Sequence, residues 1–109
     1  IIGAAQHQTT QAPTRVGVPT DPRAQYTVVS VERSGQGLVS ITTRRDGPSG
    51  TSYARRLVDC KRKLFRYTAE ADTLSGLGAR DKAGTMAALV EGSISYYVSM
   101  HACSAETGR

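Results

Sequence analysis

The sequence predicts an α+β domain in which an antiparallel meander of four to six strands carries one C-terminal helix on one face. Between residues 26 and 71, β-branched and aromatic runs alternate with Gly- and Pro-rich breaks, the pattern of consecutive hairpins. Helical spacing of apolar residues is confined to residues 93–103. A chain of 109 residues with one Phe and no Trp supports one modest core and no more.

Residues 1–24 are expected to lie outside the domain. IIGAAQHQTT places Gly3 and Ala5 at the small-x-small positions of a secretory cleavage site, with processing expected after Ala5. Residues 6–24 hold three prolines and little apolar periodicity, which predicts an extended or disordered leader, and His7 stands alone in it as a solvated side chain. The domain itself is expected over residues 25–103.

Tyr26-Thr27-Val28-Val29-Ser30-Val31 and Leu38-Val39-Ser40-Ile41-Thr42-Thr43 flank the break Ser34-Gly35-Gln36-Gly37 and predict a hairpin. Asp46-Gly47-Pro48-Ser49-Gly50 is the next turn, because Gly and Pro supply the conformations a tight reversal needs. Residues 51–60 and 64–71 then form a third and a fourth strand, joined by Cys60 to Lys63. Short connections between consecutive strands make the sheet antiparallel. Residues 72–84 contain three glycines and predict a long loop, and TMAALV at 85–90 fits a short edge strand or an extended lead-in. In the last element Tyr96, Tyr97, Met100 and Cys103 recur at helical spacing, flanked by Ile94, Val98 and His101. Gly92 or Ser93 caps its start, and the polar residues 104–109 form a disordered tail.

Charge is concentrated in one region. Residues 44–66 hold eight cations against Asp46 and Asp59, a net +6, which leaves −1 for the rest of a chain whose total is +5. Arg44 and Arg45 point oppositely on a strand, as do Arg55 and Arg56, whereas Lys61, Arg62 and Lys63 share a turn and project together. With Arg66 on the next strand, they are the predicted contact cluster for an acidic partner. Phe65 and Tyr67 share a face and are expected to cover the core. Export would separate the chain from most nucleic acid, so an acidic protein, glycan or surface is the expected partner. No run approaches the roughly 18 apolar residues of a membrane-spanning helix.

Cys60 beside three cations invites the reading of an activated thiol. Two cysteines in a short chain expected to be exported are more simply a pair. A Cys60–Cys103 bond would pin the helix C-terminus to the sheet and close a 44-residue loop, with a stabilisation of roughly 4 kcal/mol in the chain-entropy model. Two cysteines and two scattered histidines lack metal-ligand spacing, and His101 reads as a packing residue. The chain holds no G-x-S-x-G, P-loop or H-E-x-x-H, so neither catalytic residues nor a cofactor is expected.

LVDCKRKLFRYTAEA at 57–71 and EGSISYYVSMHAC at 91–103, in this strand order, resemble the surface-adhesin protein E family of small exported bacterial proteins. The resemblance covers residues 26–103. It implies a helix on the concave face of the sheet, a disulfide between the positions of Cys60 and Cys103, and binding of host-matrix or plasma proteins. The chain departs from that pattern in having neither a lipid-attachment Cys nor a Trp ahead of the helix. The expected function is a non-enzymatic, adhesin-like binding module located in the periplasm, at the cell surface or in the medium. An accessory subunit of an envelope assembly, such as a secretion system, is the alternative.

Overall fold

The structure is a computed structural model that describes residues 14–107, with the side chains of 105–107 excepted. The expected cleavage site, His7 and the first half of the expected leader lie outside these residues. Among the described residues six strands follow one another: β1 (Thr14–Val16), β2 (Gln25–Arg33), β3 (Leu38–Gly47), β4 (Gly50–Asp59), β5 (Leu64–Ala71) and β6 (Ala87–Ala88). Every neighbouring pair is antiparallel and the spatial order equals the chain order, so the sheet is an uncrossed meander. One helix, α1 (Ile94–Thr107), packs on one face against β3, β4, β1 and β2. The predicted α+β architecture is therefore the observed one.

Strand alternation sorts the side chains by face. Val39 and Ile41 of β3 and Val58 of β4 point to the helix and are buried there with Val16, Val18, Tyr26, Val98 and Ala102. Two bulges interrupt the alternation. The β2–β3 register skips Val29 and the β4–β5 register skips Thr68. The first explains why Val28 and Val29 adjoin in a strand with one apolar face: Val28 packs on the core, and the inserted Val29 is 42% exposed.

Residues 14–24, expected in the leader, belong to the fold. Val16 and Val18 are buried although Pro19 and Pro22 follow, because three residues suffice for an edge strand and the prolines lie beyond it. Turns Val18–Asp21 and Asp21–Ala24 return the chain to β2, and the Thr20 hydroxyl donates to the Gly92 carbonyl just ahead of the helix at 2.9 Å.

The helix differs from expectation in two respects. Its buried stripe is Ser95, Val98, Ser99 and Ala102, and the tyrosines flank it: Tyr97 packs against the core, Tyr96 meets it edge-to-face at 5.3 Å, and Met100 is 38% exposed. The helix also runs past Cys103 to Thr107, since Ala105 and Glu106 are good helix formers and the first glycine after the cap is Gly108. Ser93 provides the cap, accepting a hydrogen bond from the Tyr96 amide at 3.1 Å.

Beyond Asp72, residues 73–86 fold over the face opposite the helix, with a single 3-10 turn at Ser75–Leu77 and Leu77 buried. The Arg55 guanidinium holds it, donating to the carbonyls of Gly78 and Arg80 at 2.8 and 3.2 Å and to the Asp81 carboxylate at 2.9 Å. The Lys82 amide then bonds the Thr68 carbonyl, which guides the chain into β6 alongside Leu64 and Phe65. Residues 87–88 thus settle the choice left open at 85–90 in favour of a short edge strand.

Candidate functional site

The β4–β5 turn is built around Asp59. Its carboxylate accepts the Arg62 amide at 3.0 Å and the Arg62 guanidinium at 3.2 Å, closing an Asx-type turn. The Arg62 amide, opposed by burial and aided by the Arg62 guanidinium, holds the Asp59 carboxyl below the usual carboxylate range. Lys63 takes the left-handed conformation, φ 57°, that lets so short a reversal lead into β5, and its carbonyl accepts the Leu89 amide.

Cys60 opens this turn and is bonded to Cys103, with Cα atoms 5.7 Å apart. The disulfide ties the penultimate turn of the helix to the end of β4, as the two cysteines led one to expect. Both cysteines are half-buried beside the core.

The eight cations of residues 44–66 do not form one surface. Arg44 pairs with Asp46 at 3.1 Å, Arg45 with Asp21 at 3.1 Å, and Arg55 with Asp81 at 2.9 Å. Arg56 is only 3% exposed, beneath the start of the helix. Arg62 is tied to Asp59. Arg66 projects from the face away from the helix, where its guanidinium donates to the Lys82 carbonyl. Lys61 and Lys63 are exposed and have no ion pair among the described residues. Of the four residues expected in the contact cluster, Lys61, Arg62 and Lys63 share the exposed turn, and Arg66 is drawn toward the loop.

What surrounds Lys61 was not foreseen. One hollow of about 480 Å³ lies between Lys61, Cys60 and the β2–β3 turn, lined by Arg33, Gly35, Leu38 and Val39. A second, of about 460 Å³, lies between Lys61, the disulfide, Met100 and Ser104. The same lysine therefore borders two largely apolar depressions, and Cys60 of the disulfide lines both. A sequence signal existed in the apolar Met100 one turn before Cys103, but its meeting with Lys61 depends on the disulfide.

Sequence reasoning also missed a polar cluster at the other end of the helix. The Asp21 carboxylate accepts from the Tyr26 hydroxyl at 2.7 Å and from Arg45, and these bonds, Tyr26 first, hold its carboxyl below the ordinary range against burial. Burial, and then the bond to Asp21, push the Tyr26 phenol up. Arg56 donates to Ser95, Thr43 and Tyr67 and lies 4.6 Å from the Tyr67 ring centroid. No helix of the described residues is long and apolar enough to cross a membrane, and with the disulfide this is compatible with an exported protein. Neither a scan against protein-family models nor searches of curated proteins and of solved structures found a match to the chain.

Proposed function

We propose that the domain is an exported, non-enzymatic binding module, adhesin-like in its pattern, that recognises an acidic segment of another protein with the disulfide end of the sheet. The observation that carries this reading is Lys61 exposed between two apolar hollows, with Lys63 beside it and neither lysine held by a carboxylate of the described residues. Paired lysines attract an acidic segment and raise its rate of encounter. The hollows would take apolar side chains of the same segment, which a purely polyanionic glycan lacks. The domain is compact, its helix is stapled and its turn is fixed by Asp59, so little order is lost on binding.

The test is calorimetry or surface binding with the disulfide-intact chain against two probes: peptides mixing Glu or Asp with Leu or Phe, and heparin as a polyanion without apolar groups. The reading expects the mixed peptides to bind, Lys61→Glu with Lys63→Glu to abolish that binding, and Met100→Asp to weaken it. Equal binding of heparin with no effect of Met100→Asp would instead indicate a charge-only glycan contact. Indifference to the lysine reversals would remove the reading.

A further inference from the structure

Arg56 presents a second, separate problem. It is 3% exposed, and the oxygens it touches are the neutral hydroxyls of Ser95 at 3.1 Å, Thr43 at 3.3 Å and Tyr67 at 2.9 Å. A guanidinium has five N–H donors in a fixed fork, so these three bonds leave two donors and the whole charge without an anion. No carboxylate of the described residues forms an ion pair with it. A buried cation without a counter-charge is costly and calls for an explanation.

The guanidinium lines a groove of about 400 Å³ between the start of the helix and the sheet, a size that suits a small molecule. Arg45 lines the same groove but is already neutralised by Asp21. On the β5 side the lining is acidic, with Glu70 and Asp72. Glu70 is there because of the bulge. Phe65 and Tyr67 face the helix, so strict alternation would send Ala69 and Ala71 to that side, but the skipped residue Thr68 resets the phase and pairs Glu70 with Ala54. Bulges re-aim side chains in this way, often beside sites. By register Glu70 sits one strand across and two residues along from Arg56, roughly 8 Å between Cα atoms for ordinary sheet spacings.

We propose that this groove binds a small zwitterion of the amino-acid type, with its carboxylate against the Arg56 guanidinium and its ammonium group toward Glu70 and Asp72. The bidentate fit of guanidinium to carboxylate uses the two remaining donors. The acidic side repels phosphate and sulfate and draws the ammonium group. Ile94 and Ala54 supply an apolar wall for a side chain.

The experiment is an NMR titration of the isotope-labelled, disulfide-intact chain with free L-amino acids and short dipeptides, and with acetate and inorganic phosphate as controls. Saturable shifts of the Arg56 side-chain N–H and of the amides of Thr43, Ala54 and Glu70 are expected with amino acids or dipeptides. Acetate should bind about tenfold more weakly or worse. Arg56→Lys should lower the affinity. Because a change under the helix can disturb folding, Glu70→Gln with Asp72→Asn is the second variant, expected to keep the fold and erase the preference over acetate. No saturable shift with any amino acid or dipeptide overturns the proposal. So does binding of phosphate or acetate as tight as that of amino acids, or a preference that survives the double variant.

Discussion

Ser99 is wholly buried on the helix, and its hydroxyl has no hydrogen-bond partner among the described residues. A buried polar group left unpaired costs about 1–3 kcal/mol, whereas the loss of its small volume costs little. Ser99→Ala is therefore expected to stabilise the domain by about 1 kcal/mol, read from urea unfolding midpoints at unchanged slope. The cap gives the opposite sign. Ser93→Ala removes the acceptor of the Tyr96 amide and should cost about 1 kcal/mol in the same measurement. The carboxylates set the acid limit. Asp21, Asp46 and Asp59 all lie below their ordinary value, held there chiefly by Tyr26, Thr51 and the Arg62 amide respectively. A carboxyl whose folded value is depressed contributes fully above its unfolded value and loses that contribution as pH falls through the folded one. Stability should accordingly be level above about pH 5 and decline below about pH 4, and Asp59→Asn should flatten part of that decline in pH-dependent urea unfolding.

Elements were legible where local chemistry decides them. The β2–β3 and β3–β4 turns, the four central strands and the helix follow from Gly and Pro breaks and from side-chain spacing. β1 was not, because three residues beside two prolines carry no local strand signal and are stabilised by burying Val16 and Val18 under a helix some eighty residues away. The bulges were hidden for a related reason, since one inserted residue leaves composition unchanged and shifts only which face the next side chains take. The basic turn was legible because consecutive cations in a reversal must be exposed. Alternation also set Arg56 opposite its neighbour Arg55, but the burial of Arg56 was not legible, because it depends on where a helix start some forty residues away comes to rest. That neighbour has its own consequence. Arg55 is what the described residues offer to fasten residues 78–81 to the sheet, through two carbonyls and Asp81. Arg55→Met should leave the sheet folded while loosening this loop, so that limited trypsin digestion cuts faster at Arg80 and Lys82 and their amides exchange sooner. Unchanged digestion would show that the bonds of Lys82 to the Thr68 carbonyl and to the Arg66 guanidinium suffice without Arg55. The disulfide acts on a different element. Replacing both cysteines by Ser should cost about 2–4 kcal/mol in urea unfolding and free the C-terminal half of α1 first.

Across the whole molecule the two proposed sites share one strand and face different ligands. β4 runs from Gly50 to Asp59, so the lysine turn lies just past its end and the groove spans its first half and middle, with Ala54 and Arg56 on its floor. Lys61 lies five positions beyond Arg56, which is about 17 Å of extended chain. Salt at physiological ionic strength screens exposed charges beyond about 8 Å, so a charge change at one end is scarcely felt at the other. A continuous, paired sheet between them offers no hinge that would couple them by movement. The sites should then be thermodynamically independent, because coupling requires an element with two arrangements that both ligands bias. Lys61→Glu with Lys63→Glu is expected to abolish binding of the acidic peptide and leave amino-acid affinity in the groove within about twofold. Glu70→Gln with Asp72→Asn should do the reverse. Peptide affinity should also fall steeply between low and physiological salt, whereas the groove, where Arg56 is shielded from solvent, should respond far less. Calorimetric titrations of each variant with each ligand at two salt concentrations measure all of these effects. A change at one site that moved affinity at the other by more than about fivefold would mean that the sheet transmits a conformational change between its ends.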